Sequence, residues 1–267
     1  MDKVQLLTAF CGLCSVVVLG LGLVANREAA QAQLAQSRGD QAAKRFSDAY
    51  AQLTQVDQNK NENLGLRFGA VQSLGQLMQD SPDYRTRIVE VLSTFIRTHA
   101  TTRLRKDRLG AWITSSPDVV IAVRVLAARP DDPHTARIDI NGARLSLPSV
   151  HLDGGRLAGA DLDGAVLAKA HLGGADLSDA RLTYANLRKA DLHDAQLRGA
   201  NLSQAHLTGA NLIRADLRGA DLASATVSRE DLRCAWIDEA TKLPPAVTRP
   251  IPSTDCPGSQ VTAGLRR

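Results

Sequence analysis

Residues 190–212 read ADLHDAQLRGANLSQAHLTGANL, and they fall into units of five: Ala190-Asp191-Leu192, Ala195-Gln196-Leu197, Ala200-Asn201-Leu202, Ala205-His206-Leu207, Ala210-Asn211-Leu212. Working outward, leucine recurs at every fifth position from Leu167 to Leu222, and Leu152, Leu157 and Leu162 hold the same phase upstream. Alanine stands two residues before each centre from Ala160 to Ala225. A five-residue period fits neither the 3.6-residue helix nor the two-residue strand. On an α-helix, positions five apart would drift right round the cylinder at about 100° per residue. A solenoid with one unit per side turns every Leu and Ala inward and leaves the other three positions, mostly polar or Gly, outside. One such unit buries almost nothing, so stacking is obligatory.

Tandem units such as Ala175-Asp176-Leu177, Ala190-Asp191-Leu192, Ala210-Asn211-Leu212 and Ala220-Asp221-Leu222 resemble the A(D/N)LXX signature of the pentapeptide-repeat family. The resemblance implies a right-handed quadrilateral β-helix with four units per coil. About four and a half coils at the β spacing would make a rod of roughly 22 Å. Both ends of such a stack expose unpaired backbone and need covering. Upstream, the frame decays through Gly155, Val150 and Leu145 at the alanine positions; downstream, through Glu230 and then Trp236-Ile237. Trp236 and Thr241-Lys242-Leu243-Pro244-Pro245 read as a lid and exit, since Pro blocks strand addition.

The 267-residue chain has room for more than this stack, yet its aromatic content of 3% is too low for several ordinary cores. The net charge of +4 is small, and four cysteines do not make a disulfide scaffold. From Val4 to Ala25 no residue is charged, enough for the roughly 20 residues that span a bilayer. A cleaved signal would want a better cleavage pattern than Leu23-Val24-Ala25. Residues 1–26 therefore read as a transmembrane anchor. Lys3 before it, against Arg27, Arg38, Lys44 and Arg45 after it, places the rest of this single-pass cell-membrane protein in the cytoplasm. Cys11-x-x-Cys14 lies inside the span and reads as packing rather than redox chemistry.

Residues 27–62 read as a juxtamembrane helical segment, two helices broken at Arg38-Gly39-Asp40, with Phe46, Tyr50 and Leu53 on one stripe. Residues 63–135 read as a helical cap domain with three amphipathic helices. The first buries Leu66, Val71, Leu74, Leu77 and Met78. The second starts at Ser81-Pro82-Asp83 and buries Ile88, Val91, Leu92, Phe95 and Ile96. The third starts at Ser116-Pro117-Asp118 and buries Val119, Val120, Val123 and Leu126. Arg67-Phe68-Gly69-Ala70, Asp80-Ser81-Pro82 and Val89-Glu90-Val91-Leu92 resemble the helical region before the repeats in some bacterial members of the family. That implies a cap joined to the first coil through Arg137-Ile138-Asp139-Ile140. The basic connector Arg97, His99, Arg103, Arg105, Lys106 and Arg108 reads as solvated, with anionic lipid as a second reading and nucleic acid a distant third. Residues 136–245 hold the solenoid with its C-terminal cap, and 246–267 a disordered tail. The fold class is thus α+β.

No nucleophile elbow, phosphate loop, zinc-protease or dinucleotide signature occurs. Outward Asp residues are what the repeat demands and say little about acid–base chemistry. We therefore expect no catalytic, cofactor-binding or metal residues and no cofactor. Residues twenty apart would share a column, so His151, His171 and Asp191 align, continued by Asn211 and Asp231; stacked at ~4.8 Å they could converge on one metal ion, but we read them as exposed polar positions. The expected function is a non-catalytic scaffold or interaction module for a protein partner at the membrane. The alternative that the resemblance implies is a DNA mimic that binds topoisomerase. Duplex DNA carries a charge per ~1.7 Å, whereas residues 139–239 hold fourteen Asp/Glu against eleven Lys/Arg, a net of −3.

Overall fold

The computed structural model describes residues 3–55, 63–100, 114–132, 138–140, 143, 145–250 and 256, with side chains from Arg27 onward. The chain divides into two compact units, Met1–Asp48 and Ala49–Arg267.

The first unit is helical. Helix α1 runs from Lys3 to Thr54 without interruption. The break expected at Arg38-Gly39-Asp40 does not occur. A single interior glycine costs a helix only about 1 kcal/mol, and the Ala- and Gln-rich flanks outweigh it. The apolar run from Val4 to Ala25, with Cys11 and Cys14, lies in α1, but its side chains fall outside the described residues. Among the described residues no helix is long and apolar enough to cross a membrane.

The second unit opens with a small bundle in which α2 (Leu64–Asp80), α3 (Arg85–His99) and α4 (Pro117–Ala127) pack on one another. Asn63 caps α2, its side-chain oxygen accepting from the Leu66 amide at 3.2 Å. Ser81 and Ser116 make no side-chain cap, contrary to expectation; Pro82–Tyr84 form a 3-10 turn before α3 begins at Arg85. The buried faces shift slightly: Val89 and Ala122 are buried, while Leu66, Val91 and Val120 are half-buried. The core also holds a charge pair. Arg67 of α2 reaches Asp118 of α4 at 2.8 Å, with side chains only 4% and 1% exposed.

From Ser146 onward the backbone closes one coil every twenty residues. Parallel bridges join Ser146 to Val166, Val166 to Asn186, and so on through Asp216 to Trp236. Each side contributes a single bridge residue, so among the described residues the stack holds isolated bridges and no longer strands. The units turn because the residue two after each centre adopts a left-handed conformation, from Ser149 at φ 57° to Ser224 at 63°. Seven of these sixteen corners are Gly; the other nine, including Lys189 and Tyr184, accept a conformation that strains an L-residue by about 1–2 kcal/mol. From Ala160 to Leu222 the inward Ala and Leu are at most 6% exposed.

Both ends are covered. At the first coil, Ser115 donates its amide to Ser146 O at 2.8 Å, and Arg156 donates to Ala127 O of α4 at 2.8 Å. Ile138 and Ile140 are buried, and Arg97 pairs with Asp139 at 2.7 Å. Gly155 stands where the repeat would place alanine because a Cβ there would meet Ala127 Cβ at 3.2 Å and Leu152 O at 2.8 Å. At the far end, Trp236 is no lid: it is 56% exposed, with the Arg218 guanidinium 5.6 Å above its ring. Thr241 closes the coil instead, buried and donating its hydroxyl to Leu217 O at 3.0 Å. Asp221 pairs with Lys242, twenty-one residues on rather than twenty, so the last coil carries one extra residue. Pro244 and Pro250 are also buried there, and a disulfide ties Cys256 to Cys234. Apart from Cys256, residues 251–267 lie outside the described residues, as do 101–113, which include Arg103, Arg105, Lys106 and Arg108 of the basic connector.

Candidate functional site

The twenty-residue coil converts sequence spacing into vertical columns, and one column collects the histidines. His151 bridges His171, His171 bridges Asp191, and Asp191 bridges Asn211. The His151 and His171 rings stack with centroids 4.1 Å apart and planes 18° from parallel. Asp191 belongs to the column but turns away from them. Its Oδ1 lies 2.9 Å from His193 Nδ1, accepts the His193 amide at 3.3 Å and accepts Asn211 Nδ2 at 2.9 Å. Burial pushes this carboxyl up, but the bonds to His193 and Asn211 outweigh it and hold the group below the usual carboxylate range. Asp231 does not continue the column. It lies in an irregular turn, where its Oδ2 accepts the Ser228 amide and the Ser228 hydroxyl donates to the same oxygen.

The column beside it supplies the carboxylate that the first lacks. Asp153 shares a rung with His151. Its Oδ1 accepts the Gly173 amide one coil on, at 3.0 Å. Ligand atoms of His151, Asp153 and His171 all lie within 4.8 Å of one another, and none of the three residues is buried. Gly173 makes room for this cluster's neighbour: a Cβ there would stand 2.2 Å from the His193 ring. His151 and Asp153 also line a groove of about 680 Å³ between the first coil and helices α2 and α4, with Gln76, Gln79 and Arg124 opposite.

Elsewhere the outward faces are braced by ion pairs between coils. Arg181 reaches Asp161 at 3.2 Å and also engages Asp163, Arg214 pairs with Asp194, and Lys242 pairs with Asp221 at 2.8 Å. Asp216 is clamped by two arginines, Arg218 at 2.7 Å and Arg198 at 2.5 Å. The Arg218 hydrogen bonds, aided by Arg198, lower its pKa to about 2. Asp194 and Asp221 are likewise lowered, by Arg214 and Lys242. These pairs use up much of the anionic surface.

Sequence comparison agrees with this architecture. The family model for pentapeptide repeats matches residues 156–194 and 190–229. Among solved structures, the chain resembles a pentapeptide repeat protein, Rfr23, from the cyanobacterium Cyanothece 51142. Identity there is 32%, over 37% of this chain and 64% of that one, with a TM-score of 0.23. HetL, a pentapeptide repeat protein of Nostoc sp. strain PCC 7120 involved in heterocyst differentiation regulation, is 33% identical over 41% of this chain and 54% of its own, with a TM-score of 0.30. A third, alr5209 from the same Nostoc strain, is 31% identical over 40% of this chain and 85% of its own, with a TM-score of 0.20. The chain spans 64% and 54% of the length of the first two, less than two thirds of either. None of the curated proteins matches it in sequence.

Proposed function

This chain belongs to the pentapeptide-repeat proteins, and from that premise we propose that it is a non-catalytic interaction module held at a membrane by residues 4–25. The observation that carries the reading is the sealed interior: the inward Ala and Leu from Ala160 to Leu222 leave no room for a substrate. What remains is a wall of outward side chains, cross-braced by ion pairs and fixed at each corner, that can present a preorganised surface to a protein partner. The uncharged apolar run supports the anchor, and the Lys/Arg excess after it favours a cytoplasmic folded part.

The DNA-mimic reading fits less well, because a net charge of −3 is small for a duplex surrogate and several of its acids are already paired with Arg or Lys. The test uses the full chain in its own membrane, with a photo-crosslinking residue placed in turn at outward positions Lys169, Lys189 and Arg188. We expect discrete adducts with another membrane-associated protein. Adducts should be absent when charged residues interrupt Val4–Ala25. No adduct from any outward position, or adducts unaffected by loss of the span, would refute the reading.

A further inference from the structure

We propose that His151, Asp153 and His171 form a binding site for a divalent transition-metal ion, of the zinc or nickel class, that staples the first two coils together. Two imidazoles and a carboxylate make a mixed nitrogen and oxygen donor set suited to such ions rather than to calcium or magnesium. Their ligand atoms lie within 4.8 Å of one another. Zinc bonds of about 2.0–2.1 Å bring tetrahedral donors to about 3.4 Å apart. The two imidazoles can close that gap by rotating towards the held Asp153 carboxylate, because neither is buried. The stacked rings, already 18° from parallel, must splay further so that both lone pairs converge.

The fold prepares the third ligand. Asp153 Oδ1 accepts the Gly173 amide, which fixes the carboxylate and leaves its other oxygen for the ion; this is the hydrogen bonding that orients ligands from outside a metal's coordination shell. Asp191, the carboxylate that the column itself offers, is occupied by His193 and Asn211. Three protein ligands leave coordination open to water or to an oxygen donor entering the groove that His151 and Asp153 line. His151 and Asp153 belong to one rung and His171 to the next. A bound ion would therefore cross-link successive coils beside the end of the stack that the helices cover.

The experiment titrates the full chain, purified in detergent and stripped with a chelator, with Zn²⁺ by calorimetry and follows its melting temperature. One Zn²⁺ per chain should bind at about 10 μM or tighter, with a rise in melting temperature. His151→Ala, His171→Ala and Asp153→Asn should each weaken binding at least tenfold and abolish the rise, while keeping the parent circular dichroism spectrum. His206→Ala, in a different column, should bind like the parent. Failure of the parent to bind saturably at about 100 μM Zn²⁺, or undiminished binding in all three variants, would overturn the proposal.

Discussion

Leu192→Ala tests the register of the whole stack. Leu192 is 0% exposed and sits between Leu172 and Leu212, one coil away on either side and no more than 1% exposed. Its amide donates to Asn211 O at 2.9 Å, a bond that alanine would retain, so the substitution isolates the side chain. Removing three buried carbons at about 0.8 kcal/mol each gives roughly 2.4 kcal/mol. The cavity adds to this, because backbone bonded above and below cannot collapse into it; Leu→Ala changes in such settings cost about 2.7–5.0 kcal/mol. For a cooperative unit the size of Ala49–Arg267, each kcal/mol lowers the melting temperature by about 2–4 °C. The expected drop is therefore about 5–20 °C. Leu192→Asp should fail to fold the repeats, since a charge would enter an interior with no partner. Arg188→Ala, at an exposed position, should stay within about 0.5 kcal/mol of the parent. Circular dichroism melts of the full chain in detergent would compare the three. If Leu192→Ala melted within about 2 °C of the parent, the inward assignment and the stack built on it would be wrong.

Four further outcomes follow from particular contacts. Asp216 is held at about 2, below its ordinary value, so its contribution is complete above about pH 4 and disappears as pH falls towards 2; melts of Asp216→Asn should lie below the parent near neutrality and converge with it in acid. Arg67→Met or Asp118→Leu alone should destabilise by about 3–5 kcal/mol in denaturant titrations, because each strands a buried charge, whereas the double substitution should recover most of the loss. Gly155→Ala should press α4 off the first coil through Ala127, costing about 1–3 kcal/mol and speeding hydrogen exchange at the Arg156 amide that bonds Ala127; unchanged exchange would disprove the contact. The proposed cytoplasmic placement predicts that Cys234 and Cys256, bonded in the structure, are reduced in living cells, so a membrane-permeant maleimide applied before lysis should label both; a pair that resists labelling would move the domain to an oxidising compartment.

The repeat was legible because each inward position obeys one local rule, and a lattice of twenty-residue coils turns that rule into three dimensions. Ala185 and Leu187 need no context to be placed inside, and both are fully buried. The helices were legible to within a residue or two of their faces, since the 3.6-residue period fixes a stripe while the tilt against neighbours decides whether Val89 or Val91 lies deeper. What the sequence concealed are contacts between elements that share no period. Gly155 looked like decay of the frame until Ala127 of α4 stood against it. Arg67 read only as part of the Arg67-Phe68-Gly69-Ala70 resemblance because its partner Asp118 is on another helix, where it read only as part of a helix start.

The histidine cluster shows where the lattice argument stops. A column fixes which backbone positions are stacked, and His151 over His171 followed from the spacing alone. It does not fix rotamers. Asp191 had the right column but the wrong hydrogen bonds, with a histidine two residues on within reach of its carboxylate. Asp153 had the wrong column, yet the Gly173 amide one coil up turns its carboxylate to within reach of both rings. The signal that could have found it was present in the sequence: with a coil of twenty, Asp153, Gly173 and His193 form a second column two residues from the first. In such a stack a site must therefore be sought across two adjacent columns, because a side chain of three or four bonds reaches sideways as easily as it reaches the next coil at ~4.8 Å.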